Sequence, residues 1–320
     1  MIEVNLIGGG PAINASNEVL KRAGFQANRS MELERGDRSP VILGETPSAL
    51  TIARETMAAG RHLLVACPAN LPADRLSLLF NERKPNQSLF VWDERRYHPA
   101  YRFVANLIES DSTWRPRYIR QETLAMEPTT SQQIYWQTLE GIALLLGVTG
   151  DTPLSVAAAA VANPVRNAPD LMTLTVGFHD LHAFLQVGMG EAMERRETIL
   201  ASANRKACID ELNDRAPLRL VEDDPRKRAT EDRWLTFPTP AVLELARQQC
   251  IAFLDATLDS GLAQAEARLW TRALAALEAM EESLENDGAP ASVRQPAEQS
   301  RFRLILGRTG KRQDPSPSVA

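Results

Sequence analysis

The chain has 320 residues, 44% hydrophobic and 24% charged, proportions that suit a folded protein with room for two domains of ordinary size. Its formal net charge of −5, with both signs interspersed, excludes a general nucleic-acid binder, which would carry a concentrated basic surface. Cys67, Cys208 and Cys250 are too few and too far apart for a disulfide framework or a local zinc site, and no run approaches the ~18 apolar residues that span a bilayer.

The opening residues lack the cationic start of a secretory leader and run straight into a strand-like segment, so the expected location is cytoplasmic. Residues 4–7 read as that first strand, followed by glycines and a helix over 12–23. Residues 40–44 are a second clear strand before a helix at 49–59; then come a strand at 62–66, a helix at 73–81 and a strand at 88–92. Short apolar runs separated by helices are what a parallel sheet covered on both faces requires, so the N-terminal third is expected to be α/β and doubly wound, Rossmann-like. The stretch between the first helix and residue 40 is short. It has room for a strand at 25–29 and one helical turn at 31–34, so an outer edge strand is expected to be missing.

After a helix at 101–109 the pattern changes. A strand at 117–125 and an apolar helix at 133–147 precede strands at 154–162, 171–178, 183–187, 197–203, 207–212 and 217–221, with no helix among them. That order predicts an α+β domain with an open, largely antiparallel sheet, one face under helices and the other free to pair with a second subunit. Its apolar residues, Leu171, Leu174, Val176 and Phe178 in one run and Ile199 and Leu200 in another, are expected to include an uncovered patch. Pro238 and Pro240 lead into a helix at 241–258, stopped at Gly261, and a second helix covers 263–284; both are expected to pack on the first domain. From 286 onward the composition is that of a mostly disordered tail, with one strand at 301–305. The predicted division is therefore a dinucleotide-binding-type domain over 1–110, an α+β domain over 111–285 and a tail over 286–320.

Gly8, Gly9 and Gly10 fall between a strand and a helix, where glycines let a dinucleotide's pyrophosphate approach backbone N–H groups at a helix N-terminus. The third position of that fingerprint is Ile13, whose branched side chain is expected to push the helix off the strand or fill phosphate space. A strand-to-helix turn that has lost its ligand would look the same. At the end of the second strand, where a carboxylate would grip an adenosine ribose, stand Arg29 and Ser30; they suit a 2′-phosphate and so NADP over NAD, and equally suit a solvated loop. Arg95, Arg96, Tyr97 and His98 lie where the parallel sheet passes into the second domain, a rim where open α/β sheets bind ligands. There Tyr97 and His98 have the chemistry of proton donors and the arginines that of an anion grip, while the same residues would also serve as a hinge tether. His179 and His182 fall on opposite faces of a strand, which excludes a metal pair.

Three ordered segments carry a resemblance. They are Glu45-Thr46-Pro47-Ser48, then Met57-Ala58-Ala59-Gly60-Arg61-His62 running into Cys67-Pro68, then Glu94-Arg95-Arg96-Tyr97-His98-Pro99. Over most of residues 1–285 the chain resembles the Gfo/Idh/MocA oxidoreductases. The resemblance implies a bound NAD or NADP, with Thr46 and Pro47 beside it, no metal, and chemistry on sugar-like carbonyls or other small molecules. It also implies pairing through the second domain's sheet, as a homodimer or with a paralogous dehydrogenase. It places the family's lysine at Cys67, and the aspartate and histidine of the helix that opens the second domain at Trp136 and Glu140. Cysteine is short and uncharged at its ordinary pKa of about 8.5, so Cys67 is expected to line the substrate pocket without reacting. With the family's lysine and histidine absent, two functions are expected. One is a degenerate binding or partner subunit. The other is an active NAD(P)-dependent oxidoreductase with an atypical proton donor, at Glu140, Tyr97 or His98.

Overall fold

The computed structural model describes residues 3–32, 39–66, 71–126, 130–163, 168–189, 194–213, 215–224, 229–237, 242–294 and 318–319. The chain divides into two compact units, residues 1–97 with 240–271, and 98–239 with 272–320. The first unit thus includes the helix at 242–258 and the first half of the next one, which a contiguous division at 110 and 285 assigns to the second.

The first unit is built on five parallel strands: β1 (Glu3–Ile7), β2 (Gln26–Ser30), β3 (Val41–Leu43), β4 (Leu63–Val65) and β5 (Leu89–Val91). Their order is β2-β1-β3-β4-β5, so β2 is an edge with no further strand outside it among the described residues. β3, β4 and β5 are three residues long and buried throughout, which is why they read as unbroken apolar runs. Helices α1 (Pro11–Arg22), α2 (Ala49–Ala58) and α3 (Ala73–Glu82) connect them. The segment that best carries the family resemblance is structural in part: buried Arg61 donates to the Ser39 carbonyl at 2.9 Å, and the Ser88 N–H donates to His62 Nδ1 at 3.0 Å. Burial lowers the His62 pKa, as an acceptor ring requires.

The second unit contains α4 (Pro99–Ser110), β6 (Tyr118–Ala125) and α5 (Ser131–Thr149), followed by β7 (Ser155–Asn163), β8 (Ala168–Gly177), β9 (His182–Met189), β10 (Arg195–Ala201), β11 (Arg205–Asp210), β12 (Leu218–Asp224) and β13 (Ala229–Thr236). α5 starts with a reciprocal capping box between Thr130 and Gln133 and ends on Gly150, whose φ of 67° is the left-handed conformation of a helix terminator. The sheet order is β7-β8-β9-β6-β10-β11-β12-β13, with β14 (Ala291–Ser292) outside β7 and β15 (Ser318–Val319) outside β13. Among the described residues of this sheet only β6 and β9 pair in parallel. β13 was not expected: in Thr230-Glu231-Asp232-Arg233-Trp234-Leu235-Thr236 only Leu235 is buried, so no apolar alternation marks it.

Two further expectations shift. Leu174, Val176, Phe178 and Leu200 are buried, so most of the run named as an uncovered patch is core; among the described residues Tyr118, Val161 and Trp234 are the large apolar side chains exposed on these strands. The last long helix, α7 (Ser260–Glu285), contains Gly261 instead of starting beyond it. It follows α6 (Val242–Leu258) after one residue, Asp259, whose Oδ1 accepts from Gly261 N at 2.7 Å and so caps the new helix. As expected, α6 packs on the first unit's sheet and α1: Phe253 meets Phe90 edge-on at 5.6 Å, and Cys250 Sγ lies 3.7 Å from Ser16 Oγ. Burial pushes the Cys250 thiol up to about 11, which leaves it inert. The strand expected at 301–305 lies outside the described residues.

Candidate functional site

The glycine turn joins β1 to α1. Gly8 and Gly10 have φ of 92° and 96°, a region where any side chain is strained. Ile13 does not crowd the turn as expected. It is fully buried in the core, in the space left by a missing side chain on the neighbouring strand end: a Cβ on Gly44 would come within 2.2 Å of Ile13 Cγ1. The glycine that lets this helix approach the sheet has moved from the helix to the end of β3.

Glu45 closes the turn. Its N–H donates to the Gly9 carbonyl at 3.0 Å, and Gly9 N–H donates to the Glu45 carbonyl at 2.9 Å. A Cβ on Gly8 would lie 2.7 Å from the Glu45 carbonyl oxygen, and one on Gly10 would lie 2.9 Å from Glu45 Oε1. Beside it, Thr46 Oγ1 accepts from Ser48 N at 3.4 Å, and exposed Pro47 completes the turn into α2. Arg29 is exposed near the end of β2, and Ser30 bonds locally, its hydroxyl donating to the Glu32 carbonyl at 2.8 Å. The sequence signal for Glu45 is its place immediately before Thr-Pro, at the end of a strand beside the glycines.

Beyond β5 the chain enters a buried ionic cluster. Arg96 is 2% exposed; its Nε donates to Asp93 Oδ2 at 2.9 Å and its terminal nitrogens to Glu266 at 3.2 and 2.5 Å. Trp270 adds an indole N–H to Glu266 at 2.8 Å and a ring face 5.4 Å from the guanidinium. Burial opposes the charge on Arg96, but Glu266 and Asp93 outweigh it and raise its pKa. The anion grip expected of Arg96 is therefore taken by the protein's own carboxylates. Tyr97 lies in a single 3-10 turn with its ring 5.9 Å from the same guanidinium. Glu94 accepts from Trp92 Nε1 at 3.0 Å, and burial raises its carboxyl above the ordinary range.

In the second unit His98 caps α4: its Nδ1 accepts from Ala100 N at 3.2 Å, with Pro99 at the first helical position. That bond needs Nδ1 unprotonated, leaving Nε2 to carry the ring proton. Behind it, Tyr101 donates to Glu211 at 2.6 Å and lies 2.7 Å from Thr198 Oγ1. On α5, Trp136 and Glu140 share a face, and the indole N–H donates to Glu140 Oε1 at 2.7 Å. The structure thus brings Trp136 to Glu140, and Gly8 and Gly10 to Glu45. Cys67 lies outside the described residues. Among the described residues no cluster of His, Cys, Asp and Glu could hold a metal, and no helix is long and apolar enough to cross a membrane.

No known family profile and no curated protein matches the chain. Solved structures do. UDP-N-acetylglucosamine 3-dehydrogenase from Acidithiobacillus ferrooxidans superposes with a TM-score of 0.71 at 20% identity, over 89% of this chain and 98% of that one. Levoglucosan dehydrogenase in complex with NADH gives 0.71 at 15% identity, over 92% and 100%. An oxidoreductase from Agrobacterium radiobacter in complex with NAD+, L-tartaric acid and magnesium gives 0.70 at 14% identity, over 91% and 98%. The chain has the fold of Gfo/Idh/MocA-type NAD-binding oxidoreductases, at 14–20% identity to these three.

Proposed function

We propose that this protein is a catalytically degenerate member of that fold, acting as a ligand-binding or partner subunit. The observation that carries the reading is the Trp136–Glu140 pair. An indole N–H is a donor only and does not ionise near neutral pH, and it bonds Oε1 of Glu140 as its acceptor. At the two positions where the resemblance expects an aspartate and a histidine, the helix thus holds an indole donor bonded to a carboxylate. Cysteine in place of lysine at position 67 points the same way.

Association fits this role. A homodimer, the default by symmetry, or pairing with a paralogous dehydrogenase through the second unit's sheet is part of this proposal. One observation favours the other reading, an active NAD(P)-dependent oxidoreductase. The raised carboxyl of Glu94, held by Trp92, would supply an atypical proton donor.

The test is turnover. Purified protein is assayed with NAD+ and NADP+ against sugars and polyols, and with NADH and NADPH against the matching carbonyls. No reaction is expected. A kcat in the ordinary range of about 1 s−1 or more, abolished by Glu94→Gln, would replace the degenerate reading with the active one.

A further inference from the structure

We infer that Glu45 decides what the glycine turn accepts: its carboxylate occupies the place of a dinucleotide's pyrophosphate and keeps it out. The inference deepens the degenerate reading above and rests on it. A strand–glycine–helix connection attracts phosphate through two features, free N–H groups in the turn and the positive end of the following helix. Here a turn N–H is engaged from within the chain, and one of the chain's own carboxylates stands beside the start of the helix. The Gly9 N–H donates to the Glu45 carbonyl at 2.9 Å. The N-cap of α1 is Gly10, which offers no capping side chain, and the first turn of that twelve-residue helix carries no acidic residue. The anion there comes from Glu45, whose Oε1, Cδ and Cγ lie 2.9, 3.0 and 3.2 Å from where a Cβ on Gly10 would be.

The glycines are thus accounted for without a ligand. Gly8 and Gly10 each face Glu45 atoms that a side chain would strike, and Gly9 exchanges two hydrogen bonds with it. A pyrophosphate at this turn would meet the Glu45 side chain on the surface of Gly10 and would set its negative charge against a carboxylate. The residues present do not fit it. Replacing this one side chain removes both the bulk and the charge while leaving the Gly9 bonds, which use only the Glu45 backbone.

Fluorescence titration with NADH and NADPH tests the inference on the full-length protein, its Glu45→Ala and Glu45→Gln variants, and Glu55→Gln. The last removes the same charge from an exposed position on α2. Glu45→Ala is expected to bind at least tenfold tighter than wild type, and Glu45→Gln tighter by less. Glu55→Gln is expected to match wild type. Inorganic pyrophosphate should raise the melting temperature of Glu45→Ala and leave wild type unchanged. If Glu45→Ala does not fold, a threefold gain in Glu45→Gln decides the question. A gain below threefold, no detectable binding by either Glu45 variant, or an equal gain in Glu55→Gln overturns the inference. Turnover by wild type would sink the degenerate reading while leaving a tenfold Glu45→Ala gain intact. An inactive wild type with flat Glu45 variants would sink this inference alone.

Discussion

Arg96 in the first unit and Arg219 in the second are both held by carboxylates, in opposite surroundings. Arg96 and Asp93 are 2% and 1% exposed, whereas Arg219 and Asp232 are 42% and 40% exposed. The buried group sets one cation against two carboxylates, and Asp93 Oδ1 has no hydrogen-bond partner among the described residues. Burial pushes Asp93 up despite Arg96 beside it, while the Arg219 guanidinium holds Asp232 below its ordinary value. The same pairing costs desolvation in one place and almost nothing in the other, so only the buried one specifies a unique geometry for the chain leaving β5.

The largest effect that could break this comparison is expected from Arg96→Met. It strands two buried carboxylates and should cost ~3–5 kcal/mol in urea denaturation. A loss below ~1 kcal/mol would mean that Asp93 and Glu266 are neutral or hydrated without it. Next is Ile13→Ala, which empties the socket over Gly44 and should cost ~2–5 kcal/mol by the same measurement. If Ile13 projected toward the turn instead, truncation would leave stability nearly unchanged.

These residues also mark what the sequence made legible. The parallel sheet could be read because β3, β4 and β5 are buried on both faces and so are apolar without interruption. β13 escaped because a half-exposed strand near an edge needs no apolar period, and the β6–β9 parallel pairing depends on contacts distant in sequence. Of the candidate site, the glycine turn was visible as a pattern. Its occupant was not, because Glu45 reaches Gly10 across strands and no local rule relates them. Arg96 misled for a physical reason: a charged residue reads as exposed or ligand-binding unless its buried partners are known, and Glu266 lies 170 residues away.

A smaller effect sharpens the reading of His98 as a cap. His98→Ala removes the acceptor for Ala100 N and should cost ~0.5–2 kcal/mol, with His98→Asn restoring most of it because asparagine caps equally well. If His98→Asn were as unstable as alanine, packing of the ring on Tyr101, 6.2 Å away, would be its main contribution.

The smallest expected effects have opposite signs in the two units. Burial raises Glu94 above its ordinary 4.5, so the folded protein favours its protonated form. That contribution is full below about 4.5 and is lost as pH rises through the folded value. Asp232 is lowered from 3.8 by its bond from Arg219, so its contribution is present above 3.8 and lost as pH falls through the folded value. Stability curves between about pH 3 and 6 should therefore diverge. Relative to wild type, Glu94→Gln should gain as pH rises, because the variant cannot lose what wild type loses. Asp232→Asn should lose as pH rises, and its difference from wild type should shrink in high salt because both partners are exposed. Parallel curves would mean that the partners around Glu94 outweigh its burial, and would remove the electrostatic basis for treating it as a proton donor.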